Sequence, residues 1–197
     1  MDLQDFKSDM LYFDEPLSPT VDNLLRRAAE NYGTGNAERL LLEAFQMARD
    51  NLSVLVGLYR FYYYQHRYSM AIEVAHHVMS VVAPRIDFPQ SWREITMSSV
   101  ANGVMNSIGM VRFYLFALKA AGYLNLRVGR FEEGMAMLRK VVELDTSDRL
   151  GARLLDLLHG RPQLVHAVRL LVGAGCNLHR RLRDFLQRRG QVADRFA

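Results

Sequence analysis

"GLYRFYYYQHRYSMAIEVAHHVMSVVAP", residues 57–84, decides the fold. Six of the ten positions from Tyr59 to Tyr68 are aromatic, and a polar break at Gln65-His66-Arg67 interrupts them. A second apolar run follows, with small side chains at Ala71 and Ala75. The rings are either a surface that stacks bases or a cofactor, or the packing of one helix on another. A pattern that recurs at a fixed period favours packing.

The pattern does recur. A shift of 34 residues lays Val21, Leu24, Leu25, Ala28, Ala37, Leu41 and Ala44 on Leu55, Leu58, Tyr59, Tyr62, Ala71, Ala75 and Val78. Each window predicts a helix, a short polar turn and a second helix, the turns being Tyr32-Gly-Thr-Gly-Asn36 and Gln65-His66-Arg67. A third window, "LKAAGYLNLRVGRFEEGMAMLRKVVELDTSD" at 118–148, fits less strictly. It places Gly122 at the helix crossing, Gly129 in the turn, and Leu138 and Val141 on the inner face of the second helix. Two antiparallel helices approach closely only where small side chains occupy the crossing, which accounts for the alanines and glycines. A lone hairpin cannot cover its apolar face, so successive hairpins stack.

The third copy in particular, "AGYLNLRVGRFEEGMAMLRKVVELD", resembles the tetratricopeptide repeat family, as do the small pairs Ala37/Ala44 and Ala71/Ala75. The resemblance covers about 100 of the 197 residues. It departs from the family pattern in lacking the first-position Trp. Arg49 and Thr146 stand where the closing Pro belongs, and Pro84 falls one position late. The resulting expectation is an all-α solenoid of helical hairpins with an inserted helix and a C-terminal capping helix. Its parts are an acidic segment over 1–20, repeats over 21–160 with an insert at about 86–114, and basic capping helices over 161–197. Ser91 with Glu94 predicts a capping box opening the insert helix.

Bulk properties agree with one soluble domain. Half of the residues are hydrophobic and 23% are charged, enough apolar surface for a core and too much for disorder. No apolar run is long enough for a membrane span, and the N-terminus MDLQDFKSDM lacks the apolar core of a signal peptide. Cys176 has no cysteine to pair with, so the expected setting is the cytoplasm. Net charge is +4 but unevenly placed: ten arginines follow residue 148, whereas the first twenty positions hold five acids against Lys7. The arginine-rich end reads as the polar outer face of a terminal repeat or as a site for acidic partners.

The family resemblance implies that the first helix of each hairpin lines a concave face. Carried over, the partner-binding positions are Arg26 in the first copy, Arg60, Tyr63 and Tyr64 in the second, and Lys119, Tyr123 and Arg127 in the third. Asp22, Glu30 and Val56 fall on the same face. Tyr59, Tyr62 and Tyr68 fall on packing positions instead. A protein carrying an acidic or carboxylate-bearing segment complements this set. The residues do not match the Lys/Asn clamp by which some members of the family grip chaperone C-termini. Single-stranded nucleic acid is the rival ligand, because rings beside cations stack bases and hold phosphates. Low net charge, few lysines and the distance in sequence between the tyrosines and the basic end weigh against it.

No catalysis, cofactor or metal is expected. His76 and His77 point about 100° apart on one helix, and His159, His166 and His179 lack further ligands at metal spacing. Glu132 and Glu133 suit a helix start. None of the catalytic strings with known mechanics occurs. Gly173-Ala-Gly-Cys176 reads as a helix break, and Cys176 as a small apolar residue. Met97, Met105, Met110, Met135 and Met137 either form an adaptable surface or fill a core, and core filling is the expectation taken.

At the scale of the whole chain, "LYFDEPLSPTVDNLLRRAAENYG", "AERLLLEAFQMARDN" and "GLYRFYYYQHRY" resemble the small repeat proteins of nitrogen-fixation gene clusters, the nitrogenase-associated factors. That resemblance implies an accessory protein that docks on the nitrogenase molybdenum–iron protein for assembly, repair or protection. A repeat chaperone of a bacterial secretion system is the alternative of similar size and build.

Overall fold

The computed structural model describes residues 15–32, 35–146, 150 and 152. Among these, every regular element is helical. In chain order they are α1 (Pro19–Glu30), α2 (Ala37–Met47), α3 (Leu52–Tyr64), α4 (Tyr68–Val82), α5 (Met97–Arg127) and α6 (Phe131–Leu144). Two 3₁₀ turns, Ala83–Ile86 and Trp92–Glu94, lie between α4 and α5. Each helix packs on the next along the chain, which makes three consecutive hairpins and an all-α helical repeat.

Local chemistry sets the boundaries. Ser18 accepts a hydrogen bond from the Val21 amide and Pro19 opens α1, where its missing N–H costs nothing. Asn51 accepts from the Ser53 and Val54 amides at the start of α3. The three hairpin turns share one device, a positive-φ residue two positions before the second helix. These are Gly35 (φ 75°), His66 (φ 58°) and Gly129 (φ 85°). In the second and third turns the backbone bonds also coincide. Arg67 N–H reaches the Tyr62 carbonyl at 2.9 Å and Arg130 N–H the Asn125 carbonyl at 2.8 Å, closing the helix end as a Schellman motif does. The hairpins therefore repeat a backbone device, but at intervals of 31 and 63 residues, so the turns do not keep the 34-residue period of the side-chain pattern.

The small residues stand where hairpins cross. Ala37, Ala44 and Ala71 are fully buried. At the α5–α6 crossing Gly122 and Gly134 face each other, and a Cβ built on Gly134 would lie 2.7 Å from the Gly122 carbonyl oxygen. The apolar side chains form two clusters. One joins α1–α4 with Leu124. The other joins α3–α6 with Phe88, Trp92 and Ile95. Phe45, Tyr59 and Val74 lie against both.

The insert differs in detail from the sequence expectation. Ser91 precedes only the short turn Trp92–Glu94 and makes no side-chain cap there. The capping box lies five positions later, between Thr96 and Ser99. α5 is two helices end to end. Ser107 (φ −163°, ψ 106°) leaves helical geometry, and its hydroxyl accepts from the Met110 amide, so it starts the second part as an N-cap. Met135 and Met137 are buried as expected, but Met97 and Met105 are exposed. Both exposed methionines sit on the insert half of α5, whose inward side is taken up by Gly103 against Phe88. The acidic residues 1–14, most of the stretch beyond 146, Cys176 and the arginine-rich capping helices lie outside the described residues, as do Gly33 and Thr34 of the first turn. No described helix is long and apolar enough to cross a membrane.

Candidate partner-binding face

α3 contributes a ladder of rings because tyrosines recur at one-turn spacing. Tyr59 and Tyr63 stack at 6.1 Å, Tyr63 meets Tyr64 edge-on at 5.4 Å, and Tyr68 closes on Tyr63 at 6.2 Å. Burial, and then the neighbouring phenols of Tyr63, Tyr123 and Tyr64, push the Tyr59 phenol far above its ordinary range, so it stays neutral. Tyr123 comes from α5, so the ladder bridges the first helices of the second and third hairpins. Tyr32, at the end of α1, extends it on the other side. Its hydroxyl donates to the Arg60 carbonyl at 3.3 Å, and its ring meets Phe61 edge-on at 5.6 Å. Burial also raises the Tyr32 phenol.

Arg127 is the charged centre of this face. One guanidinium nitrogen donates to the Tyr68 hydroxyl oxygen at 2.7 Å and the other to that of Tyr123 at 3.2 Å. The guanidinium also lies 4.7 Å from the centre of the Tyr68 ring. The Tyr68 hydroxyl meets His66 Nδ1 at 2.7 Å. No carboxylate pairs with Arg127 or Arg60 among the described residues, although both are half-buried. α3 and α5 contain no Asp or Glu, and they carry Arg60, Arg112, Lys119 and Arg127. Among the described residues this half-buried guanidinium is bonded only to neutral oxygens, which leaves donors for an incoming anion.

The structure thus brings Tyr63, Tyr64, Tyr123 and Arg127 into one constellation, with Arg60 beside Tyr32 at its edge. Arg26 is exposed and pairs with Asp22 on its own helix. Lys119 donates to the Leu150 carbonyl oxygen. Tyr62 is buried, as its packing position predicts. Tyr68 is different. Its ring packs while its hydroxyl serves Arg127, and neither that role nor that of His66 follows from sequence position. The signal available in the sequence was His66 itself, a bulky residue where the third turn has Gly129.

Elsewhere the hairpins carry ordinary surface pairs. His77 Nε2 lies 3.1 Å from Asp50, and Arg93 pairs with Glu133. His76 is exposed, yet desolvation of the ring lowers its imidazole pKa against the opposing pull of Glu133, helped by Arg130 and Arg93. The two adjacent histidines serve different neighbours.

No family model matches the chain, and no solved structure matches it. A protein of Azotobacter chroococcum mcd 1, described as an uncharacterised 19.8 kDa protein in the nifW 5′ region, is 60% identical over 155 residues. The match covers 79% of this chain and 86% of that relative. Over so much of both lengths, that identity means common descent and a common fold, and the chain belongs to the family of the nifW 5′-region protein.

Proposed function

We propose that this protein is a non-catalytic accessory of nitrogen fixation that binds another protein through the Tyr–Arg face of α3 and α5. The relative's place in the nifW 5′ region supports the nitrogen-fixation setting. The observation that carries the binding role is Arg127, half-buried between two tyrosine hydroxyls with no acid paired to it among the described residues. Its complement is a carboxylate on an acidic segment of the partner, flanked by apolar groups that lie on the tyrosine edges. The nitrogenase molybdenum–iron protein is the partner proposed, and the cytoplasm the setting.

A nucleic acid fits this face less well. Tyr59 and Tyr63 already stack on each other, so these ring faces are used within the protein and are not free for bases. The test is binding of the immobilised full chain to purified nitrogenase molybdenum–iron protein. Wild type should bind, and Arg127→Ala should weaken binding by roughly tenfold to a hundredfold, since one charge-assisted hydrogen bond is worth roughly 1.5–3 kcal/mol. Arg60→Ala, at the edge, should weaken it less. Failure of wild type to bind, or undiminished binding by Arg127→Ala with an unchanged thermal midpoint, would remove the proposal.

A further inference from the structure

Each hairpin turn needs one left-handed residue, and two of the three use glycine there: Gly35 at φ 75° and Gly129 at φ 85°. The second turn uses His66, at φ 58°. The second and third turns are otherwise matched. His66 N–H reaches the Tyr63 carbonyl at 3.1 Å and Gly129 N–H the Leu126 carbonyl at 3.2 Å. The residues that follow, Arg67 and Arg130, share φ −85°, with ψ 63° and 67°. This conformation disfavours a side chain and suits glycine. Space does not distinguish the turns, since a Cβ on Gly35 or Gly129 would meet nothing within 4 Å. A left-handed histidine in a turn suited to glycine points to a use for its ring.

The ring has one. His66 Nδ1 lies 2.7 Å from the Tyr68 hydroxyl, and the two rings meet edge-on at 5.7 Å. The same hydroxyl oxygen accepts from Arg127. A hydroxyl has a single proton; here it goes to Nδ1, and the imidazole carries its own on Nε2. A hydroxyl that donates is also the better acceptor. His66 therefore fixes the Tyr68 oxygen and strengthens its hold on the guanidinium. We propose that His66 positions Arg127 for an incoming carboxylate, an inference that rests on the binding role proposed for the Tyr–Arg face. The histidine touches Tyr68 and acts on the partner only through Arg127. Turn stability is given up so that the charge on the face stays in one place.

Two variants separate the ring from the turn. His66→Gly keeps the left-handed conformation and removes the acceptor. His66→Asn also tolerates that conformation, and its Cγ carries Oδ1 where the histidine Cγ carries Nδ1. The full chain is melted by circular dichroism and titrated against the nitrogenase molybdenum–iron protein. Separately, the rate at which phenylglyoxal modifies Arg127 is mapped by mass spectrometry, with exposed Arg26 as the internal reference. His66→Gly should raise the thermal midpoint by about 2–4 °C. Its Arg127 should react roughly two- to tenfold faster and its binding weaken by a similar factor, as loss of one neutral hydrogen bond dictates. His66→Asn should stay within about twofold of wild type in both. An unchanged or lower midpoint for His66→Gly overturns the proposal, because the histidine then serves the turn. Unchanged Arg127 reactivity in His66→Gly overturns it too, as does a His66→Asn that reacts just as fast as His66→Gly. So does undiminished binding by His66→Gly where wild type binds. If wild type does not bind the molybdenum–iron protein, the binding role of the face falls, and Arg127 reactivity still decides whether His66 holds it.

Discussion

Gly134 leaves no room for a side chain where α6 crosses α5. An added Cβ would meet the Gly122 carbonyl oxygen at 2.7 Å and Leu126 Cδ2 at 2.8 Å, and the first of these is backbone that cannot step aside. Alanine gains about 1 kcal/mol of helix propensity over glycine, whereas forcing atoms into a packed contact costs about 1–3 kcal/mol. The clash wins, so Gly134→Ala should lower stability by about 1–2 kcal/mol in urea unfolding. An unchanged midpoint would mean that the helices separate freely. This crossing was legible in the sequence, since Gly122 stands at the small position of the repeat pattern. The Arg127 centre was only partly legible. Periodicity says that Tyr68 faces inward, but it does not say where the far end of a tyrosine arrives. The contact between the Tyr68 hydroxyl and Arg127 spans 59 positions and depends on how two hairpins settle. The left-handed turn at His66 was hidden for a related reason: no side-chain rule distinguishes a strained histidine from an ordinary one until the turn closes.

At the level of elements, charges from α6, from the turn before it and from the Trp92–Glu94 turn reach His76 on α4. Desolvation lowers this imidazole below its ordinary 6.5, with Glu133 opposing and Arg130 and Arg93 assisting. The unfolded chain therefore takes up a proton at a pH where the folded chain resists it. The stability gained from keeping His76 neutral is complete above about pH 6.5 and is lost as pH falls towards the lowered folded value. Urea midpoints measured at about pH 7.5 and about pH 5.5 should fall less for His76→Gln than for wild type. An identical drop in both would show that His76 is not the titrating group. The helices themselves were readable from their period. The insert's internal starts were not, because Ser91 and Thr96 offer the same capping chemistry. What separates them is tertiary: Trp92 and Ile95 are both buried, so the chain stays irregular until their side chains are seated and begins its helix afterwards.

Across the whole molecule, the two apolar clusters are held together by a few shared residues, and Tyr59 is the largest of them. Removing its ring by Tyr59→Ala should cost about 3 kcal/mol and loosen the coupling between the two ends of the array. Trp92, the one tryptophan, reports on the α3–α6 cluster. Its fluorescence transition should then part from the helix signal in circular dichroism, whereas in wild type the two should coincide. Coincident transitions in the variant would mean that other contacts join the halves. The repeat architecture was visible at this scale because stacking imposes the same residue types again and again. The partner was not, because a binding face is built once and repeats nothing. One tie bears on how such a protein changes over time. Asp87 and Asn106 lie nineteen positions apart and are hydrogen-bonded at 2.7 Å, so the stretch between them leaves the array and returns to the same point. Provided that Phe88, Trp92 and Ile95 go on roofing the helices beneath and Gly103 keeps its place against Phe88, its remaining residues can be exchanged, shortened or extended like a cassette without altering the stacking on either side. Descendants of this fold can acquire new associations there while the hairpins stay as they are.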